Sequence, residues 1–195
     1  MRIALFGGRF DPVHNGHLVV AEYIREELLL DQVVFIPAAL PPHKKTRIDA
    51  ELRLSMIKAC ISDNPDFKLS DIELRREGTS YSIDTILQLK AEYQLDRSDL
   101  FWIMGADNLA EFHKWKNPQK IVEHCQLVVY PRGKHRSEIH QSVRQNYIFL
   151  ENAPILDISS TFVRDLISAG RSVKYLVPTE VLKIINKFGL YSVTD

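Results

Sequence analysis

The residues Gly7-Gly8-Arg9-Phe10-Asp11-Pro12-Val13-His14-Asn15-Gly16-His17 constrain this chain more than any other stretch. They follow a short apolar run, Ile3-Ala4-Leu5-Phe6, and lead into a segment where Leu18, Ala21, Ile24 and Leu28 recur at helical spacing. A buried strand that passes through a glycine-containing turn into a helix is the opening unit of an open parallel α/β sheet. The junction also selects a chemistry. Glycine lets backbone approach a ligand, and the free N–H groups of a first helical turn point at anionic oxygens. His14 and His17 add side-chain donors beside those groups. Their spacing would also suit metal ligands, but no third ligand with zinc-like spacing accompanies them.

The rest of the chain repeats this alternation. Strands are expected over residues 2–6, 32–37, 67–74, 100–104, 126–130 and 147–150, with 67–74 nearest an edge because it alternates rather than running apolar throughout. Helices are expected around Leu54, Ile57 and Ile61, from Ser82 through Ala91, over 107–123 with a break at Pro118, over 162–167, and after Thr179 as its cap, carrying Val181, Ile184, Ile185 and Phe188. The fold class that follows is α/β, a doubly wound, Rossmann-like parallel sheet with helices on both faces. We expect one domain over 1–195, with a helical C-terminal part from about 159 packed on the sheet. The Pro-rich stretch 37–47 and the basic stretch 132–136 are expected to be the mobile places.

The chain of 195 residues carries 25 Lys plus Arg against 25 Asp plus Glu, so its formal charge is zero. That balance argues against a broad electrostatic grip on nucleic acid or an anionic membrane. Any anion site must be a local cluster, and His43-Lys44-Lys45-Thr46-Arg47 is one. Cys60 and Cys125 stand far apart in apolar contexts, which suits small buried hydrophobes rather than a disulfide or zinc site. No segment reaches the ~20 apolar residues of a membrane span, and no signal sequence is visible.

Late in the chain, Ile158-Ser159-Ser160-Thr161-Phe162-Val163-Arg164 opens another helix. Ser159 or Ser160 is a natural N-cap, and Arg164, one turn in, could turn a planar fork of donors to a phosphate. Gly105-Ala106-Asp107 ends a buried strand at the side where doubly wound sheets bind ligands, although Asp107 could equally serve as a helix cap. Trp115 lies in a strongly polar context and offers a face for stacking. Thr79, Ser80 and Tyr81 occupy a Gly-led turn before a helix.

Taken together, these motifs resemble the nucleotidylyltransferase superfamily, marked by His-x-Gly-His and Ile-Ser-Ser-Thr-x-x-Arg. Pro41-Pro42-His43-Lys44, Gly78-Thr79-Ser80-Tyr81-Ser82-Ile83-Asp84-Thr85, Gly105-Ala106-Asp107 and Trp115 make the chain most similar to the nicotinate-nucleotide adenylyltransferase branch. The resemblance covers essentially the whole length. It implies adenylyl transfer from ATP to nicotinate mononucleotide, giving nicotinate adenine dinucleotide and pyrophosphate. The attacking phosphate oxygen is already anionic, so no general base is needed, and alignment with fixed positive potential would do the work.

On that resemblance, His14, His17, Lys44 and Arg164 are the candidate catalytic residues. ATP would be bound by Gly7, Gly8, Phe10, His14, His17, Gly105, Asp107, Ile158, Ser159, Ser160, Thr161 and Arg164. The acceptor would be bound by Lys44, Thr79, Ser80, Tyr81 and Trp115. No protein metal site is expected; Mg²⁺ would be bound mainly through the ATP phosphates, with Asp11 at most a partner through water. The expected partners are small molecules, not nucleic acid or membrane. A homo-oligomer is compatible with the chain, and the expected location is the cytoplasm. Two alternatives stay open: another phosphorylated acceptor such as nicotinamide mononucleotide, and a non-catalytic nucleotide sensor. One residue departs from the family pattern: Arg9 stands where Thr or Ser is usual.

Overall fold

Successive side chains on each strand point to opposite faces, and here both faces are apolar. Ala4, Phe6, Val33, Phe35, Phe101, Ile103 and Val128 enter one core, whereas Ile3, Leu5, Val34, Ile36, Leu100, Trp102, Met104 and Val129 enter another. Such strands are stable only when helices cover both sides, and the sequence supplies them. Each fully buried Ile, Leu or Phe contributes roughly 1.5–3 kcal/mol.

In the computed structural model, residues 1–39, 48–132 and 147–192 are described. The strands are β1 (Ile3–Gly8), β2 (Gln32–Pro37), β3 (Phe67–Leu69), β4 (Leu100–Gly105), β5 (Gln126–Tyr130) and β6 (Tyr147–Phe149). They form one all-parallel sheet in the order β3-β2-β1-β4-β5-β6. The helices are α1 (Asn15–Glu27), α2 (Ala50–Cys60), α3 (Ser82–Glu92), α4 (Ala106–Ala110), α5 (Pro118–His124), α6 (Ser160–Ser168) and α7 (Thr179–Phe188). Through Val20, Ile24, Met56, Ile57, Val163, Leu166, Val181 and Ile185, helices α1, α2, α6 and α7 fill the first core. Helices α3, α4 and α5 fill the second through Ile83, Ile86, Leu89, Leu109, Ile121 and Val122. This is the doubly wound arrangement, and strand order reverses between β1 and β4. In such sheets ligands bind outside the carboxyl ends of the strands at that reversal.

Several boundaries differ from expectation for physical reasons. β1 runs on through Gly7 and Gly8 because they pair with Ile36 and Pro37 of β2. β3 stops at Leu69, well short of 74; as an edge strand it has only β2 to pair with. The segment 107–123 is α4, a short 3₁₀ turn over Phe112–Lys114, and α5. Pro118 starts α5, where its missing N–H is harmless. Pro178, not Thr179, takes the N-cap position of α7. Cys60 and Cys125 are buried, and burial pushes both thiols up to about 12, so they act as apolar filling. Most of the Pro-rich stretch (40–47) and of the basic stretch (133–136) lies outside the described residues.

Candidate phosphate-binding site

The turn between β1 and α1 is built differently from a simple glycine loop. Its left-handed residue is Phe10, at φ 48°, not a glycine. A bulky side chain rarely adopts that conformation, which costs of order 1–3 kcal/mol. Packing holds it there: Phe10 is 2% exposed, its ring edge-on to Phe6 and to His17 with centroids 5.6 and 5.0 Å apart. The two glycines make room for neighbours. A Cβ on Gly7 would meet Trp102 Cη2 at 2.7 Å, and one on Gly8 would meet the Phe10 ring at 3.1 Å. Their first role in this fold is therefore close packing.

The turn delivers His14 to the N-cap of α1 and His17 to its first turn. The two rings stack with centroids 3.6 Å apart. The backbone N–H of His14 donates to His17 Nδ1 at 3.1 Å. Since Nδ1 accepts, the proton of a neutral His17 ring resides on Nε2, which leaves that nitrogen as a donor. His14 is buried, and neither of its ring nitrogens has a hydrogen-bond partner among the described residues. Burial, together with Arg132, pulls its pKa down to about 3. Burial first, then His14 and Arg132, hold His17 well below the usual histidine range. Both imidazoles are thus neutral near pH 7 in the free protein. They can donate to a phosphate, but they carry no charge to it.

The late motif meets this turn directly. Ser160 Oγ donates to the Pro12 carbonyl at 2.9 Å, and Arg164 Nη1 donates to the Asp11 carbonyl at 2.8 Å. Arg164 Nη2 donates to Thr161 Oγ1 at 3.1 Å, while its buried Nε has no hydrogen-bond partner among the described residues. Ser159 caps α6 by accepting from the Phe162 N–H at 3.1 Å. Ile158 borders Gly16, and the Asn15 N–H donates to the Leu176 carbonyl at 2.9 Å. Tyr191 closes the turn from the far end of the chain, its hydroxyl donating to Asp11 Oδ1 at 2.9 Å. Burial and Asp11 push the Tyr191 phenol well above its ordinary value, so it stays a donor.

A cleft opens over the histidines. It is lined by His14, Gly16 and His17 from α1, Tyr130, Pro131 and Arg132 from the end of β5, and Leu156 and Ile158 from the approach to α6. Arg132 Nη1 lies 3.8 Å from Asp107 Oδ2. Gly105 permits that approach, because a Cβ there would collide with the Asp107 carboxylate and with Arg132 Cδ at 2.9 Å. Asp107 Oδ1 is buried and accepts no hydrogen bond from the described residues.

On the other face of the sheet, Trp102 links Gly7 to Trp115, whose ring stands edge-on to it at 6.4 Å. Trp115 is half-buried and also packs on Phe112 at 5.4 Å. Tyr81 is the N-cap of α3, with Lys116 Nζ 4.2 Å above its ring. Ser80 is buried, its hydroxyl donating to the Glu73 carbonyl at 3.4 Å, whereas Thr79 is exposed. Thr85 Oγ1 donates to the buried Glu73 carboxylate at 2.8 Å, so Glu73 ties this turn to α3.

The fold therefore gathers His14, His17, Ile158, Ser159, Ser160, Thr161 and Arg164 around one turn, with Gly105 and Asp107 beside the cleft. It sets Ser80, Tyr81 and Trp115 against the second core. Lys44 lies outside the described residues. Tyr130, Pro131, Arg132 and Leu156 are the residues that sequence reasoning missed. The first three were within reach, since the end of a central parallel strand borders the crevice.

Known proteins resemble this chain in sequence and in fold. The cytidylyltransferase-like family matches residues 5–166. The chain is 39% identical to a probable nicotinate-nucleotide adenylyltransferase of Exiguobacterium sibiricum, covering 98% of this chain and 100% of the relative. It is 40% identical to one from Dictyoglomus thermophilum, again covering 98% and 100%. Among solved structures, the nicotinic acid mononucleotide adenylyltransferase of Plasmodium falciparum in complex with NaAD superposes with a TM-score of 0.82. It is 18% identical, and the match covers 97% of both chains.

Proposed function

We propose, for a chain that belongs to the cytidylyltransferase-like family and within it to the nicotinate-nucleotide adenylyltransferases, that the crevice above β1 and β4 is where ATP and nicotinate mononucleotide react. The enzyme transfers the adenylyl group of ATP to nicotinate mononucleotide in NAD biosynthesis. A phosphate oxygen of the mononucleotide bonds to the α-phosphorus of ATP. The bond from that phosphorus to the β-bridging oxygen breaks. Pyrophosphate leaves and nicotinate adenine dinucleotide remains. What carries the assignment is the meeting of the early His14–His17 turn with the late Ser160–Arg164 helix start, through hydrogen bonds of 2.9 and 2.8 Å.

The nucleophile needs no base, so the residues act by holding and by placing donors. His17 Nε2–H, and one nitrogen of His14, donate to the phosphates being split. The N-terminus of α6 and Arg164 Nε face the departing pyrophosphate. Arg132 adds charge at the mouth of the cleft. The unpartnered Asp107 Oδ1 fits a ribose hydroxyl of ATP. Lys44, assigned from the sequence alone, screens the approach of the two polyanions. Trp115 stacks on the pyridine ring, and the 79–81 turn receives its carboxylate.

Among the described residues, no group of three or more His, Cys, Asp or Glu could hold a metal ion. The guanidinium and N–H donors here bind phosphate oxygens instead, which fits Mg²⁺ carried on the ATP phosphates. Bound there, it would neutralise charge on the leaving group. Among the described residues no helix is long and apolar enough to cross a membrane, and we assign the enzyme to the cytoplasm.

The test offers ATP and Mg²⁺ with nicotinate mononucleotide, nicotinamide mononucleotide or phosphopantetheine and measures pyrophosphate release. Release with nicotinate mononucleotide well above the other two is expected. Release with none, or best with phosphopantetheine, would refute the assignment.

A further inference from the structure

Neutral histidines leave open where the positive potential of the phosphate site comes from. Beneath the turn lies an arginine in no recognised motif. Arg53, on α2, is 0% exposed. Its Nη1 donates to the Arg9 carbonyl at 2.7 Å, within the turn that leads to His14. Its Nε and Nη2 are buried and have no hydrogen-bond partner among the described residues. A cation so enclosed and so sparsely bonded is costly to a fold, and a merely structural brace for one carbonyl would not need a charge. Arg53 also has company. It senses the Asp11 carboxylate and, less favourably, the half-buried Arg9, which itself senses Arg164 and Arg132. Arg9 and Arg53 both sense the Asp11 carboxylate, and Arg164 binds the Asp11 main-chain carbonyl beside it. Three guanidinium groups thus gather at one turn, where with little water around them their positive field is weakly screened.

We propose that Arg53 is a positioning residue of the phosphate site: its hydrogen bond fixes the turn that presents His14 and His17, and its buried charge raises the positive potential that the phosphates meet. The proposal rests on the phosphate site lying above that turn. It accounts for the orphaned nitrogens, since the charge is kept for its field rather than for a local partner. It also gives Arg9 a place, as a partly exposed member of the same cluster.

The experiment titrates inorganic pyrophosphate with Mg²⁺, and separately adenosine, into the wild-type protein, Arg53→Lys and Arg53→Gln by calorimetry. Lysine keeps the charge, and glutamine keeps an N–H donor but is neutral. Arg53→Gln should weaken pyrophosphate binding about tenfold, the scale of one charge at moderate distance. Arg53→Lys should stay within about threefold of wild type, and adenosine should bind all three alike. Wild-type affinity for pyrophosphate in Arg53→Gln would overturn the proposal. So would equal losses in both variants, which would reduce Arg53 to packing. If circular dichroism shows Arg53→Gln unfolded, citrulline at position 53, neutral and of the same shape, takes its place with the same criterion. Wild-type protein that binds no pyrophosphate would instead remove the phosphate site itself, and the proposal with it.

Discussion

Arg164 and Asp11 stand 153 positions apart in the chain, and Nη1 of the first donates to the main-chain carbonyl of the second at 2.8 Å. The arginine of the late motif is thus a structural member of the early turn. Its guanidinium spans the junction, one end on Asp11 and the other on Thr161, with Nε left over. Sheet order makes the contact inevitable. The first strand is central, so whatever packs over its carboxyl end meets its turn, however late in the chain it comes.

His17 holds two jobs, accepting from the His14 N–H and presenting Nε2–H. His17→Ala removes both. Turnover should fall by more than ~10²-fold, the scale of losing one donor to a transition state. Steady-state rates of pyrophosphate release would check this, and near-normal turnover would refute the role.

The low histidine pKa values set a pH signature. His14 titrates near 3 when folded but near 6.5 when unfolded, and His17 is shifted in the same direction. Between about pH 3 and 6.5 the unfolded chain holds protons that the folded one does not, so lowering the pH favours unfolding. The thermal midpoint should fall steadily from pH 7 to pH 4, and His14→Gln should flatten that fall. A slope unchanged in the variant would contradict a buried, neutral His14. The pH profile of kcat/KM, which reports groups of the free enzyme, should likewise lack an imidazole limb between about pH 6 and 8.

Trp115 stands edge-on to Trp102 and tilted to Phe112, and it is only half-buried. Trp115→Ala should mainly raise KM for nicotinate mononucleotide, with kcat changed by only a few-fold. Turnover that collapses at unchanged KM would rule out stacking as its role.

The fold was legible because strand and helix periods alternate plainly along the chain and because a parallel sheet needs long apolar strands. The His14–His17 and Ser159–Arg164 segments were legible because helix starts rich in Gly, His and Ser carry a recognisable phosphate chemistry. Other features were hidden. Gly7 and Gly8 look like ligand-facing residues in sequence, yet their missing side chains make room for Trp102 and Phe10. Phe10 reads as part of a ligand loop, but the core captures it. Arg53 and Arg132 acquire meaning only from distant neighbours: Arg9, 44 positions from Arg53, and Asp107, at the start of α4. Periodicity reports which face a residue takes, not which charge it will meet there.

Gly7 offers a stability test of that packing. In Gly7→Ala the new methyl would sit 2.7 Å from Trp102 Cη2, well inside contact distance. Overpacking should cost about 1–3 kcal/mol, read from urea unfolding. Because Trp102 in turn supports Trp115, KM for the mononucleotide should rise as well. An unaffected unfolding midpoint would show that Trp102 yields freely.

The claim that early and late segments act as one cradle is tested most directly by a double-mutant cycle on kcat/KM with His17→Ala, Arg164→Gln and the pair together. One shared cradle predicts that the double variant is hardly worse than the worse single variant, a coupling of about 1–3 kcal/mol. Losses that simply multiply would mean that the two segments touch in the fold but contribute separately to catalysis, and the account would be wrong.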